Sequence, residues 1–223
     1  MSKNIKVKHH KAAKEKNNKK LKLMLIIGLI SIIVIMIVVI KNKNGTTKIS
    51  KIGNNSSSQE IVDYILNIES YNSEVDVEIK SNKNSNKYKL KQNYIKDEKS
   101  IQEVVEPQNI QGVKIINEKN NLKIENTNLS LTKIIENYQD IANNQLDLST
   151  FITDYKNNNN SKFTEKENKI IMETTSQNES QYRKYETLYI SKENGKPEKM
   201  EIKDTNQNVI IYIIYNEINI NDN

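Results

Sequence analysis

The chain has 223 residues, among them 5 Gly and 2 Pro but no Cys and no Trp. Without cysteine the sequence offers no disulfide framework, no thiolate metal site and no lipid-modified cysteine. The formal charge of +6 is uneven, because residues 1–22 carry nine Lys and one Glu, which leaves about −2 for the remainder. This length and the recurring apolar periodicity predict one folded domain with an extension.

Residues 23–40 form an unbroken run of 18 apolar or small residues. As a helix the run would be roughly 27 Å long, close to the thickness of a hydrocarbon core, and it predicts an uncleaved transmembrane anchor. A cleavable signal peptide would need a shorter apolar stretch and small residues at a cut site, which residues 38–42 lack. A buried core helix would not be bounded by Lys22 and Lys41. The anchor is assigned to Leu23, Leu25, Ile27, Leu29, Ile33, Ile35, Ile37 and Ile40.

A lysine-rich tail, residues 1–22, precedes the anchor and predicts its orientation. By the positive-inside rule the tail is cytoplasmic and the C-terminal part extracytoplasmic, in a single-pass protein of the cell membrane. Contact of the tail with anionic lipid is favoured over nucleic-acid binding. His9 and His10 have no further ligands at metal-site spacing, so neither a metal nor another cofactor is expected. The orientation is assigned to Lys14, Lys16, Lys19, Lys20 and Lys22.

The exported part begins with a polar segment, residues 41–58, which predicts a flexible linker. Ser57 and Glu60 have the spacing of a capping box. Apolar residues then recur at helical spacing from Ile61 to Ile68. The folded domain, residues 59–223, is therefore expected to open with an amphipathic helix.

Apolar residues alternate with polar ones from Glu74 onward, which predicts a hairpin made of residues 74–80 and 88–94. Pro107 and the Asn120-Asn121 pair then punctuate shorter strand-like runs. The other predicted strands are residues 100–106, 113–117, 122–125, 169–174, 185–190, 197–203 and 209–218. A tight hairpin is expected at Asn194-Gly195, and residues 206–208 mark a further reversal.

Two stripes in the middle of the chain predict helices. The first joins residues 131 to 142, and the second joins residues 148 to 155 with Ser149 as the expected N-cap. Short turns between successive strands favour an antiparallel sheet. The predicted fold class is therefore α+β, mainly β: a curved open antiparallel sheet whose concave face is plugged by helices, preceded by one transmembrane helix. The apolar members of the first stripe are Leu131, Ile134, Ile135, Tyr138, Ile141 and Ala142.

Strand and turn signatures of the domain lie in residues 71–80, 81–84, 87–92, 103–107, 112–115, 126–131 and 144–156. These segments resemble the germination lipoprotein (GerS-related) family of spore formers, within the wider class of LolA/LolB-like lipoprotein carriers. The resemblance implies a half-barrel sheet around helices. It also implies a non-enzymatic binding role in the spore envelope, alongside a cortex peptidoglycan amidase. The chain departs from the family because the lipid-modified cysteine is absent and residues 23–40 take over anchoring.

The exported residues contain no His, no Cys and a single arginine, Arg183. Acid–base chemistry at neutral pH would then fall to carboxylates, Lys or Tyr with a shifted pKa. Acid pairs such as Glu103 with Glu106 are expected by chance in so charged a chain and are interpreted as solvated surface. The sequence therefore predicts that the protein is not an enzyme.

Residues 209–215 are an unbroken apolar and aromatic run, which predicts a central strand that is covered on both faces. The alternative is that one face meets a protein partner or a second copy of the chain. That face is either Val209, Ile211, Ile213 and Tyr215 or Ile210, Tyr212 and Ile214. Tyrosine suits such half-exposed sites because its ring is apolar and its tip polar. The residues proposed for the partner surface are Ile211, Ile213, Tyr215, Tyr182, Tyr185 and Tyr189.

These features predict an anchored extracytoplasmic binding module that acts on a cell-envelope protein in sporulation or germination, with a spore cortex amidase as one candidate partner. A homodimer is a further option. The alternative function is a carrier or sensor that holds lipid acyl chains or a lipoprotein in the half-barrel concavity.

Overall fold

The computed structural model describes most of the predicted folded domain, within the compact unit that runs from Lys51 to Asn223. The predicted basic tail and anchor, and the linker before residue 52, lie outside the described residues. No helix in the described part is long and apolar enough to cross a membrane. The described residues are 52–53, 55–81, 83–118, 121–126, 128–136, 146–180 and 182–220.

A single antiparallel sheet of eleven strands dominates the described chain, in the order β6-β5-β4-β3-β2-β1-β11-β10-β9-β8-β7. The sheet is open, since β6 and β7 form its two ends. This confirms the prediction of a mainly β, open antiparallel architecture. The strands are β1 (Ser70–Lys80), β2 (Ser85–Ile95), β3 (Lys99–Glu106), β4 (Val113–Glu118), β5 (Asn121–Asn126), β6 (Leu131–Ile135), β7 (Lys162–Lys166), β8 (Lys169–Ser180), β9 (Arg183–Ser191), β10 (Pro197–Lys203) and β11 (Val209–Ile220).

Two helices pack with one face of the sheet, here called the inner face: α1 (Ser58–Leu66) and α2 (Leu148–Asn157). The predicted capping box of α1 is present, because the Glu60 amide donates to Ser57 Oγ at 3.2 Å and the Ser57 amide to Glu60 Oε2 at 2.7 Å. Every second side chain of a strand points to the inner face, and these side chains supply the other half of the core. The largest fully buried side chains are Tyr71, Phe151, Ile61, Ile65, Leu148, Ile170, Met172, Leu188, Ile190, Met200, Ile202 and Ile213.

The first predicted helical stripe is wrong where the structure describes it. Residues 131–135 form β6 and pair with β5 from Leu131 opposite Asn126 to Ile135 opposite Leu122. The i, i+3, i+4 spacing of a short apolar run fits a helix and a strand equally, and pairing with β5 decides between them here. Tyr138, Ile141 and Ala142 lie outside the described residues.

The second stripe forms α2 as predicted, but its N-cap is Asp147 instead of Ser149. The side chain of Asp147 does not cap the helix, because it points to β3. Strand β7 was not predicted, since its short and charged sequence lacks apolar alternation.

The turn between β9 and β10 shows where the linker ends. Only Gly195 has a positive φ, +67°, and the loop spans residues 192–196, so the predicted two-residue hairpin is wrong. Ile52 packs against the core, directly over Gly195. The ordered domain therefore begins before residue 59, within the segment predicted to be a flexible linker.

Candidate docking surfaces of the sheet

The apolar run of β11 alternates between the two faces of the sheet. Ile211, Ile213 and Tyr215 point into the core, so their assignment to an exposed partner surface is corrected. The prediction that both faces are covered is also wrong, because Ile214 on the opposite face is 40% exposed. The helices cover the inner face only, and in a strand every second side chain belongs to the other face.

Two of the predicted tyrosines lie on this opposite, outer face. Tyr189 on β9 is opposite Lys199 on β10, and Lys199 is opposite Ile214 on β11. Tyr185 shares the face of Tyr189, whereas Tyr182 is exposed in the turn before β9. The name outer patch is used below for Tyr185, Tyr189, Tyr212 and Ile214.

Charged groups hold the tyrosines of the outer patch in place around Glu201. Tyr189 Oη donates to one Glu201 oxygen at 3.2 Å, and Lys199 Nζ donates to the other at 2.7 Å. The ammonium groups of Lys199 and Lys80 lie over the rings of Tyr189 and Tyr212, at 4.2 and 4.4 Å from the ring centres. Such contacts orient an aromatic ring while leaving part of it accessible.

The surroundings of Glu201 and Tyr189 set the protonation states of these two groups near neutral pH. Burial would raise the pKa of Glu201, but hydrogen bonding and charge from Lys199, together with the Lys203 charge and the Tyr189 hydroxyl, lower it below its usual range. Burial and the Glu201 charge raise the pKa of Tyr189 to about 12. The hydrogen bond from the Tyr189 hydroxyl to the Glu201 carboxylate therefore persists at neutral pH and keeps Tyr189 in one orientation.

An open groove of roughly 460 Å³ lies beside Tyr212 and Ile214. Its walls carry three lysines and three acids, and one pair, Lys89 with Glu106, forms an ion pair of 3.2 Å. The groove is therefore apolar at the outer patch and charged but balanced beyond it. The charged wall residues are Asp76, Glu78, Lys80, Lys87, Lys89 and Glu106.

A second accessible apolar region lies at the end of the sheet formed by β6. Leu131 and Ile134 are 62% and 58% exposed, and Leu129 and Ile124 are also exposed. Sequence reasoning missed this region because it assigned Leu131 and Ile134 to a buried helical stripe. The short length of this run after the Asn126-Thr127-Asn128 turn signal would have been the signal for a strand.

Buried polar side chains connect α2 to the inner face of the sheet. Arg183 donates to Asp154 on α2 at 3.1 Å and to Glu186 on β9 at 2.7 Å, and all three side chains are almost fully buried. Burial raises the pKa of Glu186 to about 7, with Arg183 opposing and Asp154 adding to the shift. Arg183, which the sequence singled out only as the lone arginine, therefore fastens α2 to the sheet.

Asp147 forms a second buried polar contact, at the start of α2. Gln102 Nε2 donates to it at 2.6 Å, and Ser100 Oγ also donates. Burial raises its pKa to about 6, although both hydrogen bonds act in the opposite direction. Because these donors come from β3, the contact ties α2 to the other half of the sheet.

Residues 18–223 match the family model described as sporulation protein YdcC-like. The chain belongs to this YdcC-like sporulation protein family. The match confirms the predicted relation to proteins of spore formers. A search of curated proteins gives no match.

Three solved structures illustrate the similarity of this YdcC-like chain to other proteins. The GerS lipoprotein of Clostridioides difficile, in complex with the CwlD amidase, is 23% identical over 73% of this chain and 95% of that chain, with a TM-score of 0.48. An uncharacterized conserved protein from Thermus thermophilus is 13% identical over 75% and 90%, with a TM-score of 0.48. A LolA superfamily protein from Nitrosomonas europaea is 14% identical over 75% and 95%, with a TM-score of 0.42.

No described cluster of three or more His, Cys, Asp or Glu side chains could hold a metal ion. The described YdcC-like domain offers exposed apolar and aromatic side chains on its surface. The structure brings Tyr185 and Tyr189 together with Tyr212 and Ile214, which sequence reasoning had left out of the preferred partner surface.

Proposed function

We propose that the chain is a membrane-anchored, non-enzymatic binding module that docks a protein of the cell envelope during sporulation. Residues 23–40 supply the anchor in this proposal, since their length and flanking lysines fit a single span. A spore cortex amidase is the partner that the sequence resemblance implies. Membership of the YdcC-like sporulation family supports the proposed setting.

The observation that carries the proposal is the outer patch. Its residues lie on the side of the sheet opposite the helices, and Ile214 and the tyrosines remain partly accessible there. Tyrosine supplies large contact area at low entropic cost and is enriched at the energetic centres of interfaces. The hydrogen bonds and cation–π contacts around Glu201 and Lys80 hold the rings ready for a partner.

A non-enzymatic role agrees with where the perturbed carboxyl groups lie. Burial raises the pKa of Asp147 to about 6 and that of Glu186 to about 7, but both groups are hydrogen-bonded to protein groups. A general acid or base must reach its substrate within hydrogen-bond distance. These groups therefore support α2 and do not form an accessible catalytic pair.

The alternative, a carrier of acyl chains, requires an unfilled apolar space on the inner face. We infer that the sheet curves around the helices as a LolA-like half-barrel. Ile61, Leu148 and Phe151 from the helices are almost completely buried, so helix side chains fill the part of the inner face that they cover. Docking is therefore preferred, and lipid bound to the natively purified full-length chain in mass spectrometry would support the carrier instead.

The docking proposal is tested with the full-length chain in detergent and the spore cortex amidase of the same cells. Ile214→Asp replaces the apolar member of the outer patch by a charge and is expected to weaken amidase binding at least tenfold. Thr164→Asp is the matched control, because Thr164 is exposed on the same face of β7 outside the patch. Equal binding of both variants, or no binding by the unmodified chain, would contradict docking at this patch.

A further inference from the structure

The two ends of the sheet differ in how they are protected. Strand β7 is short and its exposed positions include Lys162, Glu165 and Lys166. These charges discourage a further strand from pairing with β7. Strand β6 carries a single charge, Lys133, between large exposed apolar residues. An edge strand has a row of backbone N–H and C=O groups that can pair with a further strand. The described residues provide no such strand beside β6.

The register assigns each β6 side chain to a face. Gln102 points inward to Asp147, and the same cross-strand row continues through Ile115 and Ile124 to Lys133. Lys133 therefore lies on the inner face, together with Leu131 and Ile135 two residues away on each side. Thr132 and Ile134 lie on the outer face. An added strand would thus meet apolar side chains on both faces and one lysine on the inner face.

Charge argues against a second copy of the chain as the occupant of this edge. If β6 pairs antiparallel with β6 of a second copy, all five residues find a partner only in the register centred on Lys133. That register places Lys133 directly opposite Lys133, and like charges opposite each other destabilise a strand pair. In the described part of the chain, Lys133 has no ion-pair partner of its own.

We propose that the edge of β6 receives an extended segment of a partner protein as an additional strand, with a carboxylate opposite Lys133 and apolar residues opposite Leu131 and Ile135. Main-chain hydrogen bonds supply affinity in strand addition, and alternate side chains supply selectivity. The inference rests on the proposed docking function and adds the conformation and side-chain pattern of the segment that is bound.

The probe is a fluorescein-labelled, C-terminally amidated peptide, Ser-Val-Val-Glu-Thr-Val-Ser, measured by fluorescence anisotropy with the full-length chain in detergent. Its glutamate falls opposite Lys133 in the antiparallel register. Replacing that glutamate by lysine is expected to weaken binding about fivefold or more, since an attractive cross-strand pair becomes a repulsive one. Lys133→Glu should reverse the preference. This exposed substitution leaves the core intact, which thermal unfolding checks.

Equal affinity of the two peptides, or a preference that Lys133→Glu leaves unchanged, would overturn the inference. So would a dimer in analytical ultracentrifugation that Ile134→Asp on β6 dissociates, because a second copy would then occupy the edge. Ile214→Asp separates this inference from the docking proposal. If that variant binds the peptide normally and also retains amidase binding, the outer patch is refuted while strand addition at β6 stands.

Discussion

Arg183 on β9 donates a hydrogen bond of 3.1 Å to Asp154 on α2, and both side chains are almost completely buried. A third buried group, Glu186, accepts two hydrogen bonds from the same guanidinium, at 2.7 and 2.9 Å. One cation thus serves two carboxylates in a site that water does not reach. The polar contact between α2 and β9 depends on that single positive charge.

Removal of the cation is therefore expected to cost more than removal of one carboxylate. Arg183→Met leaves Asp154 and Glu186 buried without a counter-charge and should lower the free energy of unfolding by about 3–5 kcal/mol. Asp154→Ala should cost less, because the pair of Arg183 and Glu186 stays balanced. Urea unfolding followed by circular dichroism measures both changes.

Lys87→Met is the control for this comparison, since Lys87 is an exposed cation on β2. Its effect should be small, as for most surface charges. The triple variant Arg183→Met, Asp154→Leu, Glu186→Leu should recover most of the lost stability, because apolar residues can replace a buried ionic group. A cost for Asp154→Ala that equals or exceeds the cost of Arg183→Met would argue against the shared-cation arrangement.

Glu186 also makes stability depend on pH. Burial raises its pKa from an ordinary value of 4.5 to about 7, so the folded state binds more protons than the unfolded state between these values. The stabilisation from this proton is fully present below pH 4.5 and is lost as the pH rises through about 7. The unmodified chain should therefore lose stability relative to Glu186→Gln between pH 5 and pH 8.

Urea unfolding at several pH values gives this difference directly. Glu60→Gln serves as the reference for an exposed glutamate, because the Ser57 hydrogen bonds lower the pKa of Glu60. The unmodified chain should lose stability relative to Glu60→Gln only as the pH falls below 4.5, which is the opposite sign. Parallel curves for the unmodified chain and Glu186→Gln would mean that Glu186 stays ionised in the fold.

Sequence patterns predicted most of the sheet, because apolar alternation and turn residues are local signals. The capping box at Ser57 and Glu60 shows the same on a small scale, since the motif and its hydrogen bonds lie within four residues. Strand β6 shows the limit. The spacing of Leu131, Ile134 and Ile135 suits two periodicities, and only pairing with β5 makes it a strand.

The candidate site was predictable in its residue types but not in its geometry. The sequence singled out Tyr185, Tyr189 and the β11 run, yet it could not assign a face to Ile213 or Ile214. That assignment depends on which face α1 and α2 cover, a tertiary property that a one-residue change of register would reverse. The buried grouping of Arg183 with Asp154 and Glu186 was equally hidden, because it joins residues from α2 and β9.

Ile213 and Ile214 are neighbours on β11 that should respond very differently to truncation. Ile213 is 0% exposed and part of the core, whereas Ile214 faces outward. Ile213→Ala should lower the free energy of unfolding by about 2–5 kcal/mol through lost burial and a cavity. Ile214→Ala should change it by less than about 1 kcal/mol. Chemical denaturation of the two variants makes the comparison, and similar costs would mean that the outer face is also covered.

Gly195 supports the packing of Ile52 by lacking a side chain. Its φ of +67° favours glycine, and a Cβ there would lie 3.2 Å from Ile52 Cβ and closer still to Cγ2. Gly195→Ala should therefore destabilise the domain by more than the roughly 1–2 kcal/mol that the backbone conformation alone costs. Combining it with Ile52→Ala removes the closest contact, the one with Cγ2, so the double variant should be more stable than the sum of the single effects predicts.

Gly53→Ala is the matched control for this cycle, because no atom lies within 4 Å of a Cβ at that position. It should be neutral or slightly stabilising, since alanine restricts the unfolded chain. Thermal and urea unfolding of the four proteins in the cycle give the coupling energy. Strict additivity of Gly195→Ala and Ile52→Ala would show that the segment before α1 does not pack on this turn. The ordered domain would then begin later in the chain, near Ser57.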